Sequence, residues 1–462
     1  MAQDEIGGRV GDGIPRAGVM SRFLGDRALV LLLALGVALR FAYAWHLARH
    51  IVPNAGSEAW RVAVHIAHGQ GFAGAYQYGD MPTAHVLPIT PGITGWVYAL
   101  LGVSSPAAEA VLLVWATMLV VLTYALLYQA FAMLGTPRPA RLLGLAAVLF
   151  ASPYISQEVV EFRVWDGGLA GALSAGCLVL LLSINRRERV TVRPMAMLVA
   201  ANALLFFVNP IVGVAAYCCT GLVMLNRLSV GRFIQVAGIA LLALAVLVVP
   251  WTIRNERVMG KPIPLRSNAG LELAISMYPG AELPTNDPAG RFDARLRQVH
   301  PHDGRDPFNA MVRAGGEVPY AAALGHASVQ WIVAHPASAA RVALNHLGQV
   351  LFPPVWLFDI NSTSHAGSIL KSLLAGMAGL TGLLGLALAL AQRRPSWIFP
   401  ALLVIVPALL MSPFQPINRY IYLLFGPLVF AGADLLAAVA TLAGRRSPSA
   451  VPAPSEQGRP AA

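Results

Sequence analysis

The chain has 462 residues, of which 56% are hydrophobic and only 12% charged, and its mean hydropathy is +0.62. Soluble domains carry about twice that share of charged residues, so the composition excludes a soluble globular enzyme. It indicates a polytopic membrane protein.

The hydrophobic residues are concentrated in long apolar runs, and a run of about 20 residues crosses a bilayer as a helix. We predict ten spans, at residues 27–47, 108–134, 142–157, 167–184, 195–208, 211–226, 233–252, 369–390, 397–411 and 418–441. The fold class is therefore all-α, with a membrane domain at 22–445. The Gly-, Pro- and Ser-rich ends, 1–21 and 446–462, are predicted to be disordered cytoplasmic tails. The first run is too long for a cleavable signal peptide, so we expect it to stay in the membrane.

The distribution of charge predicts how these spans are oriented. With the N-terminus inside, the cytoplasmic segments hold 17 arginines and only six acidic residues. This is the positive-inside pattern, and it accounts for the net charge of +11 without a nucleic-acid partner. Both termini are then cytoplasmic, and the two large polar regions, 46–106 and 253–368, lie outside. All eleven histidines fall outside or at the outer membrane edge.

The first outer region contains a short predicted helix, with Ser57 as its N-cap and Gly69 as its stop. Helical spacing places four polar side chains on one side of it: Glu58, Arg61, His65 and His68. Such a stripe is either the solvated face of an interfacial helix or part of a site for polar chemistry. The position of Glu58 at the helix start favours its ionised form, which suits a base or a ligand. A polar segment with His85 follows.

The short outer loop at 158–166 contains Glu158, Glu161, Arg163 and Asp166. These charges either pair with one another at the end of a span or belong to a site. Asp166 directly precedes an apolar helix and is the best functional candidate of the four.

The seventh span ends in Pro-Trp-Thr-Ile-Arg-Asn at 250–255. Arginine suits bidentate contacts to phosphate, so this span end and the segment after it are candidate substrate-binding regions. The candidates here are Arg254, Asn255, Arg266, Asn268 and Glu272. The alternative is that these arginines bind lipid headgroups. The His-Pro-His-Asp-Gly segment at 300–304 matches no strong metal-ligand spacing and is interpreted as a surface turn.

Five segments occur in a characteristic order: Glu58-x-x-Arg61-x-Ala63, Gly69-x-Gly71-Phe72, Pro82-Thr83-Ala84, Trp165-Asp166, and 250–255 continuing through Ser267-Asn268-x-Gly270-Leu271-Glu272. Together they resemble the bacterial branch of the GT-C membrane glycosyltransferases. That group includes the protein O-mannosyltransferases and the enzyme that adds aminoarabinose to lipid A. The resemblance covers roughly residues 25 to 440, and its most specific part is 250–255.

The resemblance implies an enzyme that uses a polyprenyl-phosphate sugar on the outer side of the bacterial inner membrane. It implies Glu58 as the catalytic base and Asp166 as a second acid, with a basic residue, Arg254 or Arg61, on the phosphate. Many relatives carry a Pro-Asp pair where this chain has Pro53-Asn54, so Glu58 stands in for that aspartate. A single displacement with inversion at the sugar is expected.

The sequence does not distinguish a protein, a glycolipid or a polymer as the acceptor. It is also compatible with a divalent metal as a cofactor. Membrane lipids are the remaining expected partners. One alternative function is a transporter for lipid-linked sugars, which needs polar residues at mid-membrane depth. Apart from Asp434, the spans are almost free of charge, which favours an enzyme. A catalytically inactive relative that binds lipid is the other alternative.

Overall fold

The computed structural model describes residues 26–47, 54–188, 190–360 and 364–445. The two predicted tails lie outside these ranges. In chain order the helices are α1 (Arg27–Leu47), α2 (Glu58–Ala67), α3 (Ile89–Leu101), α4 (Pro106–Met133), α5 (Arg138–Phe150), α6 (Ile155–Val159), α7 (Gly167–Arg186), α8 (Val192–Val208), α9 (Pro210–Arg227), α10 (Val230–Met259), α11 (Ala269–Ser276), α12 (Pro288–Val299), α13 (Arg305–Arg313), α14 (Glu317–Ala334), α15 (Pro336–Leu351), α16 (Val355–Asp359), α17 (His365–Ala391), α18 (Ile398–Met411) and α19 (Asn418–Arg445). Short 3-10 turns lie at Glu161–Arg163 and Pro395–Trp397.

The predicted all-α membrane class is confirmed, and nine of the ten predicted spans each coincide with one helix. Within the described ranges, seven helices are long and apolar enough to cross a membrane by themselves, and a bent pair raises the number to eight. The helices that cover the predicted spans 195–208 and 397–411 are shorter than a full span. The figure of about ten is therefore approximate.

The third predicted span, 142–157, is wrong as a continuous helix. The chain leaves α5 at Phe150 and turns by 72° before continuing through α6 to Arg163. Pro153 follows the end of α5, and proline cannot donate the backbone hydrogen bond that a continuing helix needs. The turn brings the polar residues of 158–166 into the bundle. Sequence analysis also missed α3, an apolar helix inside the first outer region.

The predicted break at Asn209-Pro210 is confirmed as the turn of a helical hairpin. Asn209 caps α9 by accepting a hydrogen bond from the Val212 amide at 3.2 Å, and Pro210 takes the first helical position. The two helices approach so closely that a Cβ at Gly213 would lie 2.3 Å from the Phe206 backbone. The hairpin therefore has little freedom, and the Asn209 side chain is held at its tip.

The main core lies within the bundle, where α4, α7 and α9 pack against α17 to α19. A fully buried ion pair joins α1 to α6, with Arg40 Nη2 2.5 Å from Glu158 Oε2. Asp434, an acid within the last predicted span, is paired with Arg394 at 2.6 Å. In both ion pairs the opposite charges neutralise each other locally, so neither pair presents a free charge to a solute that crosses the bundle.

Helices α11 to α15 form an outer region with smaller cores of its own. One of these cores packs Tyr76 from the first outer region against Leu271, Phe308 and Met311. The first outer region is thus covered by residues from the second. This packing determines what surrounds Glu58.

Candidate functional site

Helix α2 forms as predicted. The Ser57 hydroxyl accepts a hydrogen bond from the Trp60 amide at 3.4 Å, and Gly69 takes the left-handed conformation (φ +74°) just after the C-terminus. Ala59 and Val62 are buried and pack against Val164 and Trp165. The helix that carries Glu58 is therefore anchored directly on the segment that carries Asp166.

Glu58 is not on a solvated stripe, because residues from both outer regions cover it. Its Oε1 lies 3.0 Å from His85 Nε2 and 3.3 Å from His300 Nε2, and its side chain is only 13% exposed. Residues 301–303 do form a turn, but the prediction that this segment is only a surface feature is wrong. His300 is 6% exposed and faces the carboxylate.

Hydrogen bonds determine which nitrogen of each ring carries a proton. Tyr76 donates its hydroxyl proton to Glu317 Oε2 at 3.0 Å, so its oxygen accepts from His85 Nδ1 at 3.3 Å. His300 Nδ1 lies 2.9 Å from Asp303 Oδ2 and 3.2 Å from the His302 amide nitrogen, and the shorter contact is a hydrogen bond when Nδ1 carries the proton. In the neutral rings both Nε2 lone pairs then point at Glu58, so a proton or a cation is needed between them.

The three groups fit a divalent metal ion. Their ligand atoms all lie within 4.8 Å of one another. A tetrahedral zinc ion bound at about 2.0–2.2 Å holds its ligand atoms roughly 3.3–3.6 Å apart, slightly more than the distances of 3.0 and 3.3 Å from Glu58 to the two histidines. Histidine ligands commonly donate their second ring nitrogen to a carboxylate or a hydrogen-bonded group, as both rings do here. Glu58, His85 and His300 are therefore a candidate metal site, which sequence spacing alone had not indicated.

Glu317, which sequence analysis missed, positions this cluster from the start of α14. Its carboxylate accepts hydrogen bonds from Tyr76, from the Thr83 hydroxyl at 2.8 Å, from the Ala84 amide at 2.6 Å and from the Ser267 hydroxyl at 2.8 Å. A buried carboxylate with four donors is well compensated for its loss of water. It joins the His85 segment to the segment that contains Arg266.

Asp166 lies at the start of α7 and is 8% exposed. Its Oδ2 accepts a hydrogen bond from Asn209 at 3.0 Å, and its Oδ1 lies 4.0 Å from Arg266 Nη2. Asp166 also immediately precedes α7, at the positive end of that helix dipole. Asp166 is thus a buried, oriented acid beside an arginine.

Two buried guanidinium groups at this site retain N–H groups without partners. The Nε atoms of Arg266 and Arg419 are buried and have no hydrogen-bond partner among the described residues. Arg419 lies 3.7 Å above the Trp165 ring and interacts electrostatically with Glu58 and Asp166. Unpartnered buried donors of this kind are ready-made contacts for an anion. Sequence analysis missed Arg419, although the polar residues just before the last span are a signal for it.

Arg61 and His65 turn away from Glu58 and hold the loop that follows. Arg61 donates to the Gly74 carbonyl at 3.0 Å, and His65 Nε2 lies 3.1 Å from the exposed Asp80. Gly74 has φ +72°, and a Cβ there would lie 2.1 Å from the His65 ring. The predicted polar stripe is therefore divided, since only Glu58 joins the histidine cluster.

Arg254 and Arg163 are also engaged within the protein. Arg254 donates to the carbonyls of Phe72 and Thr83, and Asn255 donates to Ile263 at 2.8 Å. Arg163 pairs with Glu109 at 2.6 Å. These contacts hold the loops in place. Arg266 and Arg419 therefore differ from Arg254 and Arg163 in keeping a buried Nε without a partner among the described residues.

The remaining predicted positions flank the cluster. Asn268 donates to Glu272 at 2.9 Å, and the Glu272 charge acts on His300. Asn54, the position at which the family resemblance leads one to expect an aspartate, donates its amide to the Val160 carbonyl at 2.5 Å and has φ +60°. A carboxylate has no proton to donate in this contact, so the asparagine fits its place in the structure.

No protein-family model matches this chain, and no curated protein matches it in sequence. Among solved structures, it resembles the archaeal oligosaccharyltransferase AglB from Archaeoglobus fulgidus, in complex with an inhibitory peptide and a dolichol-phosphate. The TM-score is 0.50 at 14% identity, over 92% of this chain and 51% of that one. The chain has the GT-C fold.

A second GT-C structure is ArnT from Cupriavidus metallidurans bound to undecaprenyl phosphate, with 17% identity over 90% of this chain and 79% of that one and a TM-score of 0.36. A further AglB structure, with Zn and sulfate, has 14% identity and a TM-score of 0.41, over 90% of this chain and 50% of that one. The chain spans about half the length of AglB. What is shared is the arrangement of helices.

Charges within this GT-C site shift the pKa values of its members. Burial opposes the charge on Glu58, but the positive field of His85 and His300 outweighs it and holds the pKa of Glu58 well below its ordinary 4.5. Burial also favours the neutral form of His300. The hydrogen bond to Asp303 and the charge on Glu58 nevertheless raise the pKa of His300 above its ordinary 6.5.

These two shifts predict how stability depends on pH in the metal-free protein. The lowered Glu58 pKa gives stability that is present above pH 4.5 and lost at lower pH. The raised His300 pKa gives stability that is present below pH 6.5 and lost as the pH rises through the raised value. We expect the melting temperature of chelator-treated protein to fall as the pH is raised above 6.5, and His300→Gln to remove this fall. His68→Gln, at an exposed histidine of the same region, is the control. An equal fall in the His300→Gln variant would contradict the assignment.

Proposed function

We propose that this chain is an inverting glycosyltransferase that moves a sugar from a polyprenyl-phosphate donor to an acceptor hydroxyl. The observation that carries the proposal is the placement of two carboxylates, the largely covered Glu58 and the buried Asp166, near two arginines with free buried donors. Sugar transfer from a phosphate needs both elements: a base for the acceptor and cations for the departing phosphate.

In the proposed step the acceptor oxygen attacks the anomeric carbon of the donor. The bond between that carbon and the phosphate oxygen breaks, and the polyprenyl phosphate leaves with the electron pair. Glu58 takes the proton of the acceptor hydroxyl. Both histidines contact its Oε1, so Oε2 is the oxygen offered to the acceptor. Phosphate is a good leaving group, so the step needs no separate proton donor.

The leaving phosphate is proposed to bind between Arg266 and Arg419. Asp166 holds Arg266 by charge, and Trp165 holds Arg419 by stacking, so neither guanidinium has to be ordered when the substrate arrives. Preorganised donors of this kind stabilise charge that develops in the transition state. Arg254, the other arginine considered from sequence, has the separate role of fixing the loop at Phe72 and Thr83.

The fold supports this assignment. AglB, which shares the helical arrangement, was solved with a dolichol-phosphate, a lipid of the class proposed here as donor. The positive-inside pattern supports a location in the bacterial inner membrane with cytoplasmic termini and a periplasmic site. Asp434 is paired with Arg394, so this charge is not free to bind a transported solute within the bundle, which favours an enzyme over a transporter.

A divalent metal is proposed at Glu58, His85 and His300. Such an ion would supply positive charge to a phosphate oxygen of the donor. Asp303 and the Tyr76–Glu317 pair would orient the two histidines toward it. The three ligands come from both outer regions, so the ion would also fasten these regions together.

Removing the metal tests this site. We expect a chelator to lower both sugar transfer and melting temperature, and Zn²⁺ or Mn²⁺ to restore them, with the added stability growing as the pH rises because the ligands must be deprotonated. His300→Gln should lose the metal in elemental analysis, whereas His335→Gln should keep it. Full activity and stability after complete chelation would contradict a metal at this position.

The function itself is tested with purified protein in vesicles that contain a polyprenyl-phosphate sugar labelled in the sugar. We expect release of polyprenyl phosphate and transfer of label to an acceptor from a bacterial envelope extract. Movement of the labelled lipid across the bilayer without any release of polyprenyl phosphate would instead support a transporter.

A further inference from the structure

A large cavity lies in the outer region, away from the two carboxylates. Its volume is about 930 Å³, and its walls come from α12 and α15, with Trp356 of α16 at one end. Ligand sites for small molecules have volumes of about 300–1,000 Å³. The cavity is therefore large enough for an oligosaccharide and much larger than a phosphate group needs.

The charge of the lining is positive. Three arginines line the cavity, Arg291, Arg295 and Arg341, against a single carboxylate, Glu282. Arg341 is exposed and forms no ion pair or hydrogen bond with the described residues. Arg295 stacks 4.2 Å from the Tyr278 ring and donates two hydrogen bonds to the Ala274 carbonyl, which holds its guanidinium in place. These arginines select for an anionic ligand.

The rest of the lining suits a sugar rather than a lipid headgroup alone. The amide side chains of Asn345, Gln349 and Gln415 face the cavity, and the Gln415 amide is held by Gln349 at 3.0 Å. Trp356 and Phe292 lie with their ring centroids 6.0 Å apart and offer half-buried aromatic faces. Amides bind hydroxyl groups and aromatic faces pack against the C–H faces of sugar rings, whereas a lipid phosphate needs only donors.

One helix connects the cavity with the cluster around Glu58. Ser276, at the C-terminal end of α11, lines the cavity. Glu272, one turn earlier on the same helix, acts electrostatically on His300. One turn of an α-helix rises about 5.4 Å, so α11 contributes to both places from adjacent turns.

The geometry points to an acceptor-binding site: this cavity binds an anionic saccharide, the acceptor of the proposed transferase. The role of this saccharide as the acceptor rests on the proposed function, whereas its binding to the cavity does not. Arg291 and Arg341 contact the acid groups, the amides bind hydroxyls, and Trp356 packs against a ring.

Trigalacturonate, an anionic trisaccharide, and maltotriose, a neutral one, test the cavity by calorimetry on the full chain in phosphatidylcholine nanodiscs. We expect trigalacturonate to bind at least tenfold more tightly than maltotriose. The double variant Arg291→Gln/Arg341→Gln should lose at least tenfold in affinity for trigalacturonate. The matched control Arg297→Gln/Arg313→Gln removes the same charge from exposed positions outside the cavity and should change affinity less than twofold. Arg341→Gln alone, at a side chain without internal contacts, should show part of the loss even if the double variant is unstable.

Three results would overturn the inference: no binding of trigalacturonate, equal binding of both trisaccharides, or equal losses in the two double variants. Loss of trigalacturonate binding when the nanodiscs contain phosphatidylglycerol would show that a lipid headgroup occupies the cavity, and it would overturn the inference as well. None of these measurements uses the sugar donor. The calorimetric measurements therefore test the proposed saccharide site, and the assay with the labelled donor separately tests the proposed function.

Discussion

Replacing Glu58 with glutamine is expected to lower sugar transfer by about 100- to 10,000-fold, the range over which a positioned general base accelerates proton transfer. Glutamine has nearly the same shape but cannot take a proton. It also removes the charge that faces His85 and His300. Transfer is measured as release of polyprenyl phosphate from the labelled donor, and bound metal is measured in the same samples.

Glu256→Gln is the matched control, because it makes the same chemical change at an exposed glutamate near the end of α10. It should retain transfer and metal. Loss of metal together with loss of transfer in Glu58→Gln would fit a ligand role, and loss of transfer with metal retained would fit the base role alone. Transfer above a tenth of the wild-type rate would falsify the assignment of Glu58 to the reaction.

Asp166→Asn is expected to lower transfer by at least about 100-fold, through loss of the charge that holds Arg266. The asparagine oxygen can still accept from Asn209, but its amide then faces the guanidinium and repels it. Arg266 should move, and the donor phosphate should lose one of its two contacts. We therefore expect the fall to appear in kcat as well as in KM.

Asp80→Asn is the control for this substitution. Asp80 is 70% exposed and contacts Arg61 and His65, so its loss should cost no more than the small energy of a surface ion pair. If Asp166→Asn and Asp80→Asn had equal activities, Asp166 would be a structural residue of the α7 terminus and no part of the reaction.

Local patterns predicted a large part of this molecule. The limits of α2 follow from Ser57 and Gly69, and the break between α8 and α9 follows from Asn209-Pro210, because capping and proline act within a few residues. The apolar runs correctly marked the bundle. The bend after Phe150 was missed because the run 142–157 was interpreted as one span, although Pro153 lies within it and marks the end of α5.

The sequence predicted only part of the site, because local patterns do not show contacts between distant segments. Helical spacing drew attention to Glu58 but grouped it with Arg61 and His65, which the tertiary structure directs to Gly74 and Asp80. The partners of Glu58 come from elsewhere. His300 belongs to a segment that, read locally, is a turn with no ligand spacing.

Composition, charge and short-range signals by themselves determined the membrane class and most of the helices, since each of these depends on neighbours along the chain, and they drew attention to Glu58 and Asp166 as candidates. Only the tertiary structure decided which groups surround those acids. Tyr76 and Glu317, which orient His85, are 241 residues apart. Such contacts form because two outer regions bury apolar surface against each other, as Tyr76 does with Phe308 and Met311. That burial brings His300 and Glu317 to Glu58, and no local pattern encodes it.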